Sequence, residues 1–392
     1  MSGGASVTLF DGKPSVGRKF LVAGRGGFNL THSEPLNRFI GRYTGLEQPR
    51  DLWAVLLAEF DADALRNWAA GLGVETFAAT SGRVYPRELK AAPLLRRWVH
   101  RLREAGVEFA LRHRWTGLRK GTRWQADFQV EGEIRTRDAD AVILAMGGGS
   151  WPETGSDGAW ITALENWGVS VAPLKPANCG WEIHWPPNVL ALAEGKPLKN
   201  ITVRASQTTA VGELLVTRYG LEGGAIYPLG PVLREMPKPE IVIDFKPTHS
   251  IEQLVKKLGN CHDNFLAEAR SRWRLCDAAF AILENLPERV PFNSAESLAA
   301  MVKGCTVRLT GPRPLTEAIS CAGGVRWREL DSSLMIRRMP GVFVAGEMID
   351  WEAPTGGYLM QGCFATGTRA GRAALEWVLP QRGIESKEIH KL

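Results

Sequence analysis

Residues 341–372, GVFVAGEMIDWEAPTGGYLMQGCFATGTRAGR, limit the possible folds more than any other stretch of the chain. Val342 to Ala345 is an apolar run without alternation, the pattern of a strand buried on both faces in a parallel sheet. It ends in Gly346-Glu347, which sets a carboxylate at the carboxyl end of the strand, where open α/β sheets bind ligands. Gly356-Gly357 then opens a helical stretch beginning Tyr358-Leu359, with small residues at Ala365, Gly367, Ala370 and Gly371 that suit close packing on a sheet. Glycines ahead of a helix let backbone N–H groups and the positive helix end approach an anionic or electron-rich ligand.

The same texture runs through the first part of the chain. Residues 5–11 read as a strand ending in Asp11, and residues 14–33 as a glycine-rich loop. Residues 51–71 and 89–105 are helical by apolar spacing, with Gly106 placed to end the second, and Val107 to Leu111 is another short strand. Ala141 to Ala145 is apolar and leads into Gly147-Gly148-Gly149. Strands alternating with helices predict a doubly wound parallel sheet. From about residue 172 short alternating segments (Trp181 to Trp185, Ile201 to Ala205, Glu213 to Thr217, Glu240 to Phe245) sit between prolines and glycines, which predicts an antiparallel sheet or small barrel. The expected division is a discontinuous domain of 1–171 and 340–392, a β-rich inserted domain of 172–249 and 304–339 that shapes the substrate pocket, and a helical insert at 250–303.

Composition closes several other routes. At 392 residues two or three domains are expected, and no apolar run approaches the roughly 18 residues of a membrane span. Met1 to Lys13 has no secretory pattern, and the six cysteines show no C-x-x-C pair, so reduced thiols and a cytoplasmic setting are expected. The net charge of +6 is modest. Arg96, Arg97, Arg101 and Arg103 fall at helical spacing, and Arg112, Arg114, Arg119 and Lys120 bunch nearby, but no aromatic platform or nucleic-acid module accompanies them. The seven histidines show no ligand spacing, so no metal is expected, and no Gly-x-Ser-x-Gly follows a strand. His32 suits either a proton donor or a hydrogen-bonder of its loop. Cys321 reads as a small buried hydrophobe rather than a redox thiol.

The terminal segment, the Ala141–Gly149 strand with the loop through Trp160, the Glu317–Val325 stretch and Gly212–Gly220 together resemble the bacterial aminoacetone-oxidase-like, BaiN-like flavoproteins over nearly the whole chain. The resemblance implies a two-dinucleotide-binding-domain flavoprotein fold, α/β, with a parallel-sheet FAD domain and an inserted β-rich domain carrying a helical subdomain. It implies FAD-dependent oxidation–reduction of a small organic substrate, with NAD(P)H as a possible donor and no membrane or nucleic-acid partner. Asp11 would meet a ribose, and Arg18 or Lys19 the phosphates. Gly24, Gly26, Gly27, Asn29 and Thr31 would line the cofactor, as would Gly147, Gly148, Gly346, Glu347, Gly356, Gly357, Tyr358 and Leu359. Such proteins begin with a strand and Gly-x-Gly-x-x-Gly about 20 residues before the ribose acid. With Asp11 as that acid the fingerprint falls upstream of Met1, so the first strand is expected to be missing, FAD binding to be weak and the sheet to hold a vacant slot. A flavin-less binding module, or a nucleic-acid-associated basic protein, are the alternatives. The substrate and oligomeric state are not legible.

Overall fold

The computed structural model describes residues 5–23, 27–45, 47–261, 264–285 and 294–379. The chain divides into two compact units, one of residues 1–175 and 320–392, the other of 176–319.

The first unit is α/β with parallel strand pairs. Thr8–Asp11 pairs with Glu108–Leu111, and Val142–Leu144 pairs with Val342–Val344, both parallel and each a sheet of two strands. Val342, Phe343 and Val344 are buried, as a continuous β-branched and aromatic run requires. The helix Tyr358–Val378 packs on both strands of the second pair. Its Ala370, Ala373 and Ala374 share a small core with Phe343 and Ala345. Gly367 and Gly371, expected on that face, lie elsewhere, since a Cβ built on either would touch nothing within 4 Å. The close approach comes from the alanines.

Three other expectations change in this unit. Residues 51–71 form two helices, Arg50–Glu59 and Ala62–Gly71, because Asp61 accepts the Ala64 N–H at 2.7 Å and starts a new helix. Within the glycine-rich loop, Arg18–Ala23 is helical and Thr31–His32 is a short strand. Arg114–Lys120, Trp124–Val130 and Glu133–Ala139 form an antiparallel meander that the basic bunching had obscured. Trp124, Ala126, Phe128 and Val130 alternate inward on it, a period-two signal present in the sequence. Three arginines of the basic bunches have local partners. Arg119 makes a two-pronged pair with Asp127 at 2.7 Å, Arg114 meets Asp157 at 3.0 Å, and Arg97 bonds the carbonyls of Leu72 and Gly73.

The second unit holds a seven-stranded sheet in the order Cys305–Arg308, Glu240–Asp244, Pro197–Ala205, Thr208–Thr217, Gly220–Glu222, Trp181–Glu182, Gly311–Pro312. Helices Ile251–Leu258, Phe265–Arg272, Asp277–Asn285 and Ala295–Lys303 share its core, where Leu254, Leu258, Ile282, Leu298 and Val302 meet Ile241 and Ile243. Among the described residues no helix is long and apolar enough to cross a membrane, and all six cysteines are free.

Candidate functional site

In the parallel pair Leu144 stands opposite Val344, so the two chains leave the sheet side by side. Past Val344, the Gly346 N–H donates to Thr366 Oγ1 at 3.0 Å and the Gly346 carbonyl accepts the Trp351 indole N–H at 2.8 Å. Glu347 is thereby held at the strand end. Lys19, from the short helix of the glycine-rich loop, donates to Glu347 Oε2 and to Ser150 Oγ, each at 2.7 Å, and lies 3.4 Å from Ser156 Oγ. The side chains are 27% and 12% exposed, so the pair is largely withdrawn from water. Burial works against the Lys19 charge, but Glu347 outweighs it and leaves the ammonium above its ordinary value. Two residues expected near a cofactor from distant parts of the sequence, Lys19 and Glu347, are therefore in direct contact.

The other wall is set by backbone closeness. A Cβ at Gly148 would fall 1.8 Å from Cys321 Sγ, so only glycine fits. Burial, with Glu347 nearby, pushes the Cys321 thiol up to about 12, which keeps it protonated at neutral pH. Gly147 adopts φ +75°, and its carbonyl accepts the Trp160 indole N–H at 2.8 Å.

The helix Tyr358–Val378 opens from Gly356 and Gly357, at φ +115° and +106°. Its first intrahelical bond runs from the Gln361 N–H to the Gly357 carbonyl, so the amides of Tyr358, Leu359 and Met360 precede it. Thr31 fixes this end, donating to Gln361 Oε1 at 2.7 Å, while Gln361 Nε2 donates to the Phe60 carbonyl at 2.6 Å. The Tyr358 ring stacks on His32, with centroids 5.1 Å apart, and the Tyr43 hydroxyl donates to the Tyr358 carbonyl at 2.7 Å. His32 Nδ1 accepts the Glu34 N–H at 3.1 Å, which puts the ring proton on Nε2, 3.1 Å from the Ser81 carbonyl. Both ring nitrogens are engaged by backbone, the loop-bonding role rather than a proton donor's.

Asp11 ends its strand and accepts the Lys13 N–H at 2.8 Å, a turn that leaves it outside the Lys19 cluster. Arg18 bonds Ser15 Oγ at 3.2 Å and lies near Asp11. Asn29 Oδ1 is buried with no hydrogen-bond partner among the described residues. Gly27 is at φ +107°, and Leu359 is partly buried in the main core of the unit. Gly24 and Gly26 lie outside the described residues. Among the described residues no group of His, Cys, Asp and Glu is arranged to hold a metal.

Ser150, Ser156, Thr366 and Gln361 were not anticipated as site residues, and neither was Asp350. Asp350 is 4% exposed, one of its carboxylate oxygens has no partner among the described residues, and the Gly323 N–H donates to the carboxylate. Burial pushes it up from 3.8 to about 6, against the pull of Arg326 and that N–H. The unfolded chain ionises this group first, so its contribution to stability falls as pH rises from about 4 to about 6. Asp350→Asn keeps an acceptor for Gly323 and removes the titration. Urea unfolding should show the parent losing up to about 3 kcal/mol more than the variant across that window. Parallel pH profiles would exclude Asp350 as the source.

Relatives place this geometry in context. The chain is 28% identical over 403 aligned residues to a 3-dehydro-bile acid delta(4,6)-reductase of Clostridium scindens, covering 95% of this chain and 94% of that protein. It is 22% identical over 372 residues to a ribosomal RNA dihydrouridine synthase of Escherichia coli, covering 93% and 90%. Among solved structures, a 3-ketosteroid-delta4-(5alpha)-dehydrogenase of Rhodococcus jostii RHA1 shares the fold at 16% identity, with a TM-score of 0.51 and coverage of 95% and 92%. The paired strand ends and the glycine-opened start of the helix sit within residues 1–373, which match the family model described as HI0933-like protein Rossmann domain, and the chain belongs to that family.

Proposed function

We propose that the chain is an FAD-dependent oxidoreductase that saturates, or introduces, a carbon–carbon double bond conjugated to a carbonyl in an organic substrate. The observation that carries this is the convergence, at the carboxyl ends of two parallel strands, of Glu347, the Lys19 ammonium and the Ser150 hydroxyl. Ligands of open α/β sheets gather at such strand ends. The residues suit FAD: a carboxylate accepts ribityl hydroxyls, an ammonium meets phosphate, and the buried Asn29 Oδ1 has no partner among the described residues. FAD when bound supplies the hydride chemistry. Glu347 and Lys19 bind and orient, and the opening turn of the helix Tyr358–Val378 directs its positive end at whatever lies before it. Trp160, Trp351 and Tyr358 are buried around these segments and keep water out.

The substrate class follows from what the two relatives have in common. A delta(4,6)-unsaturated 3-dehydro bile acid carries two double bonds in conjugation with its carbonyl, and the uridine ring carries one, so both names point to reduction of a carbon–carbon double bond that a carbonyl activates toward hydride. A small organic substrate is the first reading, because the arginines of the first unit described above have local partners. NADH or NADPH is the proposed electron donor, and the six free cysteines fit a reducing, cytoplasmic setting.

The test is reconstitution of the chain with FAD, followed anaerobically by its visible spectrum. Bleaching by NADPH or NADH and recovery of colour on adding a conjugated enone are expected. A chain that takes up no FAD at any concentration tested would defeat the proposal. A chain recoloured by uridine-containing RNA but not by enones would shift it to the second substrate.

A further inference from the structure

The second unit carries a feature that the strand-end site does not use. A cavity of about 530 Å³ opens beside the helix Ile251–Leu258, lined by Thr248, His249, Gln253, Lys256 and Lys257. Ser250 starts that helix with a reciprocal pair of bonds: its Oγ accepts the Gln253 N–H at 3.3 Å, and Gln253 Oε1 accepts the Ser250 N–H at 3.0 Å. This pins Gln253 to the wall, while the next amides, of Ile251 and Glu252, lie ahead of any intrahelical bond.

The charge around the cavity is mostly of one sign. Lys256 and Lys257 come from the helix, Lys246 from the turn after the strand Glu240–Asp244, and Lys303 from the end of the helix Ala295–Lys303. Lys246 reaches the Arg274 carbonyl at 2.9 Å, which draws a further cation close. Of the acids nearby, Asp244 pairs with Lys303 at 2.5 Å, and Glu252 is bonded to Ser250 at the helix start.

His249 reports the shortage of negative charge most directly. Its Nε2 lies 2.7 Å from Lys257 Nζ, and Nδ1 lies 3.1 Å from Thr248 Oγ1. An ammonium only donates, so Nε2 is the acceptor, the ring is neutral and its proton is on Nδ1. Burial, then Lys257, Lys246 and Lys303, hold this imidazole below its usual range. Burial, then Lys257 and Arg274, likewise hold Lys246 below the usual ammonium value. The cluster stores repulsion that a bound anion relieves.

We propose that this cavity is a phosphoryl-binding site, in which Lys256, Lys257 and His249 take the oxygens of one phosphate group and Thr248 adds a hydroxyl. Phosphate has the charge to hold two ammonium groups and an imidazolium together, and its oxygens accept from all of them. The source is either a small phosphomonoester or a phosphodiester of an RNA strand. In both cases His249 takes up a proton on binding, so affinity increases as pH falls through the imidazole range.

Inorganic phosphate is the probe. The His249 ring signal, assigned by its loss in His249→Gln, is titrated by NMR in chloride and in phosphate at matched ionic strength. Phosphate should raise its pKa. Calorimetry should show phosphate affinity falling at least about tenfold in Lys256→Gln/Lys257→Gln, two exposed changes, at an unchanged unfolding midpoint. A His249 titration that ignores phosphate, or equal affinity in the double variant, would overturn the site. Single-stranded RNA that binds the parent, is displaced by phosphate and is lost from the double variant supports the phosphodiester. Phosphate binding without RNA binding supports the monoester.

Discussion

Gly357→Ala should cost about 3–5 kcal/mol of folding stability, while Gly367→Ala, ten residues along the same helix, should be neutral or stabilising by up to about 1 kcal/mol. At Gly357 two penalties coincide. The backbone sits at φ +106°, where a Cβ is strained, and that Cβ would lie 2.4 Å from the carbonyl carbon and oxygen of Thr31. Thr31 cannot retreat, since it pairs with Val84 in a strand and its hydroxyl is tied to Gln361. At Gly367 a Cβ meets nothing within 4 Å, and alanine is the better helix former. Urea unfolding of the two variants beside the parent measures both effects. Equal effects would mean that the start of this helix is not seated on Thr31.

That contrast shows what the sequence could and could not convey. The order of apolar strand, acid, glycine pair and helix between 342 and 378 was legible because it is local, each part following from spacing along the chain. Which small residues of the helix face the sheet was not, because Gly367 and Ala370 look equally suited until the rotation of the helix is known. The meander of 114–139 was hidden for a related reason. Its inward residues alternate cleanly at Trp124, Ala126, Phe128 and Val130, but the arginines on the flanking strands dominated the pattern. Only folding shows that Arg119 is matched to Asp127 across the strand pair.

The site was legible as a set of positions rather than as contacts. Glu347 stood out because a carboxylate directly after a buried strand lies at the sheet edge where ligands gather, whereas Lys19 was one cation among several. Their meeting spans 328 residues, and no local rule foretells it. Ser150 and Ser156 carried no signal of their own, being ordinary loop residues until the Lys19 ammonium reaches them. Asp350 was hidden for the opposite reason. An acid in a loop is normally solvated, whereas Asp350 is buried next to the Val325–Ile349 bridge, where the Gly323 amide meets its carboxylate.

The Lys19–Glu347 contact allows a sharper test of the site than either residue alone. Glu347→Ala should weaken FAD binding at least tenfold, because a hydrogen bond to a charged group is typically worth ~1.5–3 kcal/mol. The same change strands the Lys19 ammonium against two hydroxyls, so lost affinity could reflect a damaged fold. Lys19→Met strands the carboxylate in turn. Each single change should lower stability by about 1–3 kcal/mol, below the figure for a fully buried pair because Lys19 is 27% exposed. Lys19→Met/Glu347→Ala leaves no unpaired charge, so its stability should lie nearer the parent than the sum of the single losses. Affinity for FAD should not recover with it, since the atoms that meet the cofactor are gone from both positions. Stability regained with affinity still lost assigns the pair to the binding site. If affinity instead returns together with stability, Glu347 and Lys19 only hold the strand end to the glycine-rich loop, and FAD binding rests on other groups.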